Sequence, residues 1–342
     1  MAPSLSFSYK PRLNQYPGRN TYLNQNIWLQ IPVTPPVDVG SPTDPPNRTE
    51  TLIPTPGEDY CAYGVVSNQG SEPSGNMNLA FFLCIAATQP SLSAPETLFL
   101  GTGARNGFDG DATGRGWAIW KSESFTYSTP PQGEHYCLVA VMFRYITNPE
   151  GREVGERNKY FDPGEPGRPG AAVPGAHAEI NDPIIAQRNY FEAARKRISG
   201  SRITHVSHFN VSGSSRAEGS SLTLRQPDHG ELVALQDMLG RRGRSIRDMT
   251  AEARAGVFDS DPSREDHDPD QDKKLQKLPL TLRIQNLEPG CVRRIYLGLE
   301  LPHAETKSTT AAFVLTEQVT SDGKLVGGVA VVALNGDATS LE

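Results

Sequence analysis

The sequence lacks the short motifs that mark common catalytic sites. It contains no G-x-S-x-G, H-E-x-x-H, protein-kinase or dinucleotide-binding signature. Its cysteines, Cys61, Cys84, Cys137 and Cys291, show no C-x-x-C spacing, which argues against a structural zinc site. We therefore expect a non-catalytic protein with no cofactor and no bound metal.

The sequence also lacks a long apolar run and an excess of positive charge. No window approaches the length of a transmembrane helix, so we expect no membrane span. The formal net charge of -6 disfavours a nucleic-acid partner, because neutralising phosphates requires a basic face. The N-terminal stretch MAPSLSFSYKPRLNQYPG has no apolar core of the length that a secretory signal needs. We expect a protein that is cytoplasmic or exported without a classical signal.

Glycine and proline, by contrast, are abundant. The 342 residues include 32 Gly and 28 Pro, which suits many short strands joined by long turns. A chain of this length exceeds what one hydrophobic core usually serves. The composition therefore predicts two β-rich domains.

The first half contains short runs of aliphatic and aromatic residues that predict strands. They cover residues 26–31, 60–67, 78–87, 117–120, 123–128 and 135–146. The last run, HYCLVAVMFRYI, is apolar on both alternating sets, which predicts a central strand covered on both faces. Segment 148–178 is nearly all Gly, Pro and charge and predicts a solvated excursion, whereas 181–197 fits a strand or a helix.

The second half has the same strand patterns with a helical interruption. Strands are predicted at 202–212, 221–226, 278–287, 292–302, 310–319 and 325–334. Two helical patterns, GELVALQDMLG and SIRDMTAEARAG, fall between the early and late strands. The acidic run 259–274 predicts a disordered linker.

These patterns predict an all-β protein of two tandem antiparallel β-sandwich domains. An N-terminal arm occupies residues 1–25, and the first domain spans 26–197. The second domain spans 198–342, with a helical insertion at about 230–255 and the acidic loop at 259–274.

Three residues of the central run follow a pattern known from immunoglobulin sandwiches. In those domains the penultimate strand carries a Gly, an aromatic corner residue and a Cys at alternating offsets, and a partner Cys lies on the second strand. Gly133, His135 and Cys137 occupy these offsets, and Cys61 lies on the earlier strand. With the later phrase NDPIIAQRNY, residues 26–197 resemble bacterial immunoglobulin-like domains of the cell-adhesion-related type.

This resemblance implies an immunoglobulin-like sandwich for the first half. It also implies a disulfide between Cys61 and Cys137 wherever the compartment is oxidising. Without an export signal we expect both thiols to be reduced. His135 replaces the usual corner tyrosine of these domains.

Two residue pairs have a chemical and a structural interpretation. Cys137 and His135 could form a nucleophile and its base, but the apolar flanks of Cys137 favour an inert core thiol. His205 and His208 could bind a metal, but residues three apart on a strand face opposite sides, which favours surface or turn histidines.

Two loops have similar double interpretations. Asp268, Asp270 and Asp272 alternate as at the start of a calcium loop, but Lys273 stands where that loop needs glycine, which favours a solvated linker with weak calcium binding as the alternative. The stretch GTGARNG at 101–107 lacks the Walker spacing, so we expect a flexible loop and not a phosphate site.

The function that these features favour is binding through long loops. A rigid sandwich holds the loop ends while loops 33–57, 88–116 and 148–180 supply a surface for a protein or glycan partner. Aromatic and arginine side chains dominate interface energetics, so they are the candidate anchors. The candidates are Arg105, Phe108, Arg115, Trp117 and Tyr160, with a second basic group of Arg241, Arg242 and Arg244.

Two alternatives stay open. The chain could be a structural component of a larger phage-like or secretion assembly, in which the N-terminal arm pairs with strand edges of homo-oligomer or assembly neighbours. It could also be a hydrolase that uses His135, His205, His208 or the acidic run.

Overall fold

The computed structural model describes most of the chain as β-structure. The described residues are 5–7, 23–24, 26–32, 54–68, 71–72, 75–105, 117–131, 134–164, 170–180, 182–195, 200–213, 220–240, 247–263, 269–284, 287–288, 291–301 and 310–335. They divide into two compact units. Unit 1 comprises residues 1–85, 90–131 and 136–188, and unit 2 comprises residues 86–89, 132–135 and 189–342.

The described residues of unit 1 contain thirteen short strands. They are β1 (Leu5–Ser6), β2 (Ile27–Gln30), β3 (Asp59–Asn68), β4 (Met77–Ile85), β5 (Leu98–Thr102), β6 (Ala104–Arg105), β7 (Trp117–Lys121), β8 (Phe125–Thr126), β9 (Tyr136–Thr147), β10 (Glu153–Gly155), β11 (Phe161–Asp162), β12 (Ala171–Ala172) and β13 (Ile185–Arg188).

Eleven of these strands form a sandwich of two antiparallel sheets, and β11 and β12 form a separate two-stranded sheet. The first sheet has the order β1-β3-β7-β6, with β2 and β8 also on β3. The second has the order β10-β9-β4-β5, with β13 also on β9. Alternate residues of both sheets fill the space between them, among them Phe81, Trp120 and Met142. The sandwich predicted for the first half is therefore confirmed.

The central strand β9 is covered on both faces, as its sequence predicts. Leu138 and Ala140 face the core between the sheets. Val139 and Val141 belong to a separate cluster on the outer face of the second sheet, called here the outer cluster. A strand between two apolar environments needs apolar residues at every position, which explains the unbroken run.

In the part of unit 2 that the structure describes, there are ten strands and two helices. They are β14 (Tyr190–Arg195), β15 (His205–Ser212), β16 (Ser221–Arg225), α1 (His229–Gly240), β17 (Arg247–Asp248), β18 (Arg254–Phe258), α2 (Pro269–Asp272), β19 (Gln276–Lys277), β20 (Leu280–Arg283), β21 (Val292–Glu300), β22 (Thr310–Val319) and β23 (Leu325–Asn335).

The ten strands form one long sheet that folds over its own core. Its order is β19-β18-β21-β15-β14-β23-β22-β16-β20, with β17 on β22. Strand β14 joins the two layers, since residues 190–193 run parallel to β23 and residues 194–195 run antiparallel to β15. Phe209 and Leu297 from one layer meet Val314 and Val331 from the other in a shared core. Apart from the parallel pairs β14–β23 and β17–β22, the strand pairs are antiparallel.

The helical insertion is shorter than the sequence pattern predicts. Helix α1 forms over the first pattern, and Leu235 is fully buried. The second pattern, SIRDMTAEARAG, was predicted as a helix and this is wrong, because residues 247–248 and 254–256 belong to β17 and β18. Ala253 and Ala255 are buried in the core of unit 2. Ala255 also pairs with Leu299 of β21, and this pairing overrides its helical propensity.

The described part of segment 181–197, which fitted either period, contains two strands. Ile185–Arg188 pairs with β9 in unit 1, and Tyr190–Arg195 pairs with β23 and β15 in unit 2. The division between the units therefore falls at residues 188 and 189, before the predicted boundary at 197. Residues 86–89 and 132–135, predicted in the first domain, also belong to unit 2.

Candidate functional site

The predicted binding anchors do not come together as one exposed surface. Phe108, Arg115, Arg241, Arg242 and Arg244 lie outside the described residues. The backbones of Arg105 and Trp117 belong to β6 and β7, two neighbouring strands of the first sheet of unit 1.

Tyr160 was predicted as an exposed anchor, and this is wrong. It is only 1% exposed and belongs to the outer cluster. Its hydroxyl donates a hydrogen bond to Asp182 Oδ2 at 2.8 Å. The ring therefore helps to fix the loops in place and is not available to a partner.

The two long connections of unit 1 meet over the outer face of the second sheet. Leu92 N–H donates to the Ala176 carbonyl at 2.9 Å, and Ala178 N–H donates to the Pro90 carbonyl at 2.8 Å. Gly175 N–H donates to Ser93 Oγ at 2.9 Å. We call the described residues 90–105, 148–164 and 170–180 the loop platform. Within segment 148–178, predicted as a solvated excursion, Tyr160, Phe161, Ala176 and Ala178 are instead buried against the sheet.

An aromatic floor supports the loop platform. The ring centroid of Phe161 lies 5.9 Å from Phe82, 5.5 Å from Phe99 and 5.3 Å from Phe143. Aromatic pairs at these separations contribute beyond their buried area. The neighbouring backbone is closely packed, since a Cβ added at Gly170 would lie 2.3 Å from Phe161 Cζ. Phe99 is 36% exposed, so one edge of the floor reaches solvent.

Charged groups surround this floor. Lys159 Nζ lies 2.7 Å from Asp182 Oδ2 and 3.0 Å from Glu179 Oε2. Burial alone would raise the pKa of the Asp182 carboxyl, but hydrogen bonds from Lys159, the Ile184 amide and Tyr160 outweigh it and lower that pKa. Asp182 is therefore ionised at pH values above its lowered pKa. Its contacts with Lys159 and Tyr160 hold the two ends of segment 159–182 together.

The tip between β9 and β10 is a tight turn at the platform's end. Asn148 Oδ1 accepts hydrogen bonds from the amides of Glu150 at 3.1 Å and Arg152 at 2.8 Å. Gly151 takes a positive φ of 76°, which glycine adopts without strain. The side chains of Glu150 and Arg152 are 68% and 72% exposed, so a partner can reach them.

A second candidate site lies on one face of β15 and β21 in unit 2. His208 stands opposite Tyr296, and Asn210 stands opposite Arg294. The intervening residues Phe209 and Ile295 face the core, so these four side chains share the outer face. Together with Glu134 and His135 they form what we call the histidine cluster.

The histidine cluster is closely packed. The His208 ring centroid lies 5.6 Å from that of His135 and 5.6 Å from that of Tyr296. Glu134 forms an ion pair with Arg294, accepts a hydrogen bond from Asn210 Nδ2 at 3.3 Å and lies 3.9 Å from His208 Nε2. Sequence reasoning singled out both histidines but not their contact, which depends on segment 132–135 belonging to unit 2.

Both imidazoles of this cluster are held neutral near pH 7. Burial, followed by repulsion from His208, lowers the pKa of His135 to about 4. Burial lowers the pKa of His208, while Asp261 opposes the effect. No group of three His, Cys, Asp or Glu side chains that could hold a metal ion occurs in the described part of the chain.

The remaining candidate residues have structural surroundings. Cys137 is 1% exposed, and burial raises the pKa of its thiol well above the ordinary value, which agrees with an inert core thiol. His205, predicted at the surface or in a turn, is 1% exposed, and its Nε2 contacts the Leu334 carbonyl at 2.8 Å. The prediction of a surface position is wrong for His205.

The implied pairing of Cys61 with Cys137 does not fit the sandwich. Cys61 packs with Trp28 and Tyr63 on the outer face of the first sheet. Cys137 lies on the outer face of the second sheet, so the two side chains point away from each other. The residue directly opposite Cys137 is Cys84, which sequence reasoning did not single out.

The acidic run is partly ordered. Asp272, in the short helix α2, accepts hydrogen bonds from Ser201 Oγ at 2.9 Å and from the Arg202 amide at 3.1 Å. Asp270 pairs with Lys273 at 2.6 Å, while Asp268 lies outside the described residues. The prediction of a disordered linker is wrong for 269–274. Stretch 101–105, predicted as a flexible loop, forms part of β5 and β6.

Within the described residues, no helix has both the length and the apolar character needed to cross a membrane.

Comparisons with known proteins give only distant similarities. No family model matches the sequence, and no curated protein matches it. Among solved structures, the chain is similar to the CupB6 tip adhesin from Pseudomonas aeruginosa, with 10% identity, a TM-score of 0.25, and coverage of 82% of this chain and 92% of that one. It is also similar to the B domain of a biofilm associated protein, with 8% identity, a TM-score of 0.26, and coverage of 81% and 80%.

A further similarity is to the collagen adhesin CNA from S. aureus, with 8% identity, a TM-score of 0.21, and coverage of 82% of this chain and 88% of that one. TM-scores this low do not establish a shared topology. Nothing about this chain's ligand follows from these proteins.

Proposed function

We propose that the chain is a non-catalytic binding module that recognises a protein or glycan through the loop platform of unit 1. The observation that carries this proposal is the direct hydrogen bonding between segments 90–93 and 175–178. Two long connections held to each other and to an aromatic floor present a surface that is already ordered. A surface that is ordered before binding avoids much of the entropic cost of association.

The chemistry of the platform suits a polar macromolecular surface. The platform carries exposed charges of both signs, such as Glu150, Arg152 and Arg157, and the partly exposed ring of Phe99. Aromatic and charged side chains of this kind are typical of protein interfaces, and the ring could stack on the apolar face of a sugar. The resemblance of residues 26–197 to bacterial immunoglobulin-like domains of the cell-adhesion-related type is compatible with this role.

Paired charge reversals on two hairpin turns test this proposal. In the test variant, Glu150→Lys with Arg152→Glu reverses an exposed pair at the platform's tip. In the matched control, Asp322→Lys with Lys324→Glu reverses an exposed pair at the turn between β22 and β23 of unit 2. Both double variants leave the net charge unchanged, and Phe99→Ala serves as a second platform variant.

Each immobilised full-length protein is then exposed to a lysate of its source cells and to a glycan array. We expect one stoichiometric protein or one glycan class to bind the natural chain and the control. Binding should be reduced at least tenfold by the platform variants. Equal binding by platform variants and control would contradict the proposal.

A structural role in a larger assembly is the second candidate, and the N-terminal arm favours it. The arm segment β1 pairs with β3, and Phe7 is 4% exposed in the core of unit 1. The arm therefore adds a strand to a sheet edge, which is the contact that would be exchanged between subunits.

A disulfide trap separates the arrangement within one chain from exchange between chains. Ser6 stands opposite Ser67, so Ser6→Cys with Ser67→Cys places two thiols across the pairing. After mild oxidation, non-reducing electrophoresis with peptide mapping should show chain ladders linked at these two positions if subunits exchange arms. A monomer with an internal link would contradict the assembly role.

A further inference from the structure

Two buried cysteines face each other across the centre of the second sheet of unit 1. Cys84 on β4 stands directly opposite Cys137 on β9. They are 0% and 1% exposed, and both side chains belong to the outer cluster. Two thiols on the same face at the same register position are therefore neighbours.

The backbone pairing sets the separation of these residues. Ala86 N–H donates to the His135 carbonyl at 2.7 Å, and Tyr145 N–H donates to the Asn76 carbonyl at 2.8 Å. Hydrogen-bonded pairs alternate along an antiparallel ladder, so Cys84 and Cys137 form such a pair, with a Cα separation of about 5.5 Å. That separation lies within the range of about 4.4 to 6.8 Å found across disulfides.

The other two cysteines have no comparable neighbour. Cys61 is buried on the outer face of the first sheet, and Cys291 is exposed in unit 2. Cys84 and Cys137 are therefore the one pair that stands at corresponding positions of adjacent strands.

We propose that Cys84 and Cys137 are a disulfide modification site, closed when the chain folds in the presence of a disulfide oxidant such as glutathione disulfide. One thiolate attacks the oxidant and releases one glutathione thiol. The second cysteine then attacks the mixed disulfide and releases the other. The two protein thiols lose two electrons and two protons, and glutathione disulfide gains them to become two molecules of glutathione.

The timing of this reaction follows from burial. Residues 160–161 and 172–178 cover the outer face in the folded unit, and thiols buried there cannot reach an oxidant. The bond therefore closes after β4 and β9 have paired and before these residues cover them. Treating the folded, reduced protein with the oxidant should leave this pair unchanged.

The bond would stabilise unit 1 by restricting its unfolded chain. It closes a loop between two central strands, so the midpoint temperature of unit 1 should rise by about 5 to 10 °C.

Oxidative refolding of the full chain tests the proposal. The natural protein is unfolded in denaturant with reductant and refolded either in a mixture of glutathione and its disulfide or in reductant alone. Free thiols are then blocked, and non-reducing peptide mapping locates the links. We expect a peptide linked at Cys84 and Cys137, two hydrogen atoms lighter than the reduced pair, in protein with native circular dichroism.

Single variants provide the controls. Cys61→Ser should keep both the link and the rise in midpoint temperature. Cys84→Ala and Cys137→Ala should each lose the link and the rise in midpoint temperature. If only one of these two variants refolds, that variant alone serves as the test. Native protein refolded with the oxidant that retains all four thiols, or that links Cys61 or Cys291 instead, would overturn the proposal.

Discussion

The two units of the molecule are built from the same kind of strand but fill their interiors differently. Most of the largest fully buried side chains belong to unit 1: Trp28, Trp120, Tyr60, Tyr63, Tyr160, Phe81, Phe82 and Phe161. The shared core of unit 2 is mainly aliphatic and contains Phe209, while Phe258 and Phe313 are also buried in this unit. Unit 2 also buries side chains that can change charge, including His205 and Glu231.

This difference predicts that the stability of the two units is sensitive to different perturbations. Burying aromatic area stabilises by an amount that does not depend on protonation. Burying histidines and ion pairs makes stability depend on pH and on keeping each charge partnered. Unit 1 should therefore be sensitive to the loss of ring volume, and unit 2 to the loss of a charge partner or a fall in pH.

The largest expected effect is the loss of the ring at the centre of the aromatic floor. Phe161→Ala removes a fully buried ring in contact with Phe82, Phe99 and Phe143 and should cost unit 1 about 3 to 5 kcal/mol. Phe99→Ala, at a partly exposed position, should cost about half as much. Denaturant unfolding followed by unit-specific fluorescence measures both. Equal losses of stability in Phe161→Ala and Phe99→Ala would show that the buried centre of the aromatic floor does not support the loop platform.

The next effect concerns the ion network of unit 2. Arg225 binds Glu231 through two bonds of 2.6 and 2.7 Å and Glu317 through two of 2.8 and 2.6 Å. Arg225→Ala leaves the buried Glu231 carboxylate without its cation and should cost unit 2 about 3 kcal/mol. Arg283→Ala, at an exposed site, should change stability by less than about 0.5 kcal/mol. Similar losses of stability for Arg225→Ala and Arg283→Ala would contradict a stabilising role for the ion network.

A somewhat smaller effect is expected from acid. The pKa of His135 is about 4 in the folded chain against 6.5 for an ordinary histidine, so the unfolded chain binds more protons between these values. Unit 2 should therefore keep its full stability above pH 6.5 and lose about 2 to 3 kcal/mol as the pH falls to about 4. His208 and His205, whose pKa values are also lowered by burial, add to this loss.

The stability of each unit against pH checks the sign and the window. His135→Gln should flatten the curve of unit 2 between pH 6.5 and 4. Unit 1 has a different dependence, because the pKa of Asp182 is lowered and its contribution is lost only as the pH falls below the usual carboxyl value. If the stability of both units changed with pH in the same way, the expected difference between unit 1 and unit 2 would be contradicted.

The smallest effect is expected at the platform's surface ion pair. Lys159→Ala removes a half-exposed cation from Asp182 and should cost unit 1 less than about 1 kcal/mol. The same change should raise the pKa of Asp182, which carbon-detected titration by nuclear magnetic resonance can measure. An unchanged pKa would show that Lys159 does not hold that carboxyl ionised.

Sequence patterns were sufficient for the elements whose periodicity is local. The run 135–146 predicted a strand buried on both faces, and β9 is so buried from Cys137 to Phe143, while Arg144 and Ile146 are exposed. Strand β22 begins and ends at its predicted residues. The all-β class and the sandwiches followed from such runs. Periodicity reports the environment of successive residues along one element, so it succeeds where a whole strand has a constant environment.

Features that depend on distant pairing could not be predicted in this way. Ala255 lies in a helical pattern but is a strand residue because β21 pairs beside it. Tyr160 sits among charges and glycines but is buried because segment 90–93 binds segment 175–178. His135 and His208 meet only because residues 132–135 belong to unit 2. Each outcome was decided by a partner far away in sequence.

The central claim is that the loop platform is ordered before any partner binds. Hydrogen–deuterium exchange of the free full-length chain tests it most directly, because the amides of Leu92, Gly175 and Ala178 donate the bonds that hold the platform together. We predict that these amides exchange as slowly as those of neighbouring β4, and that Phe161→Ala speeds them selectively. Exchange of all three at the rate of an unstructured peptide would contradict the claim.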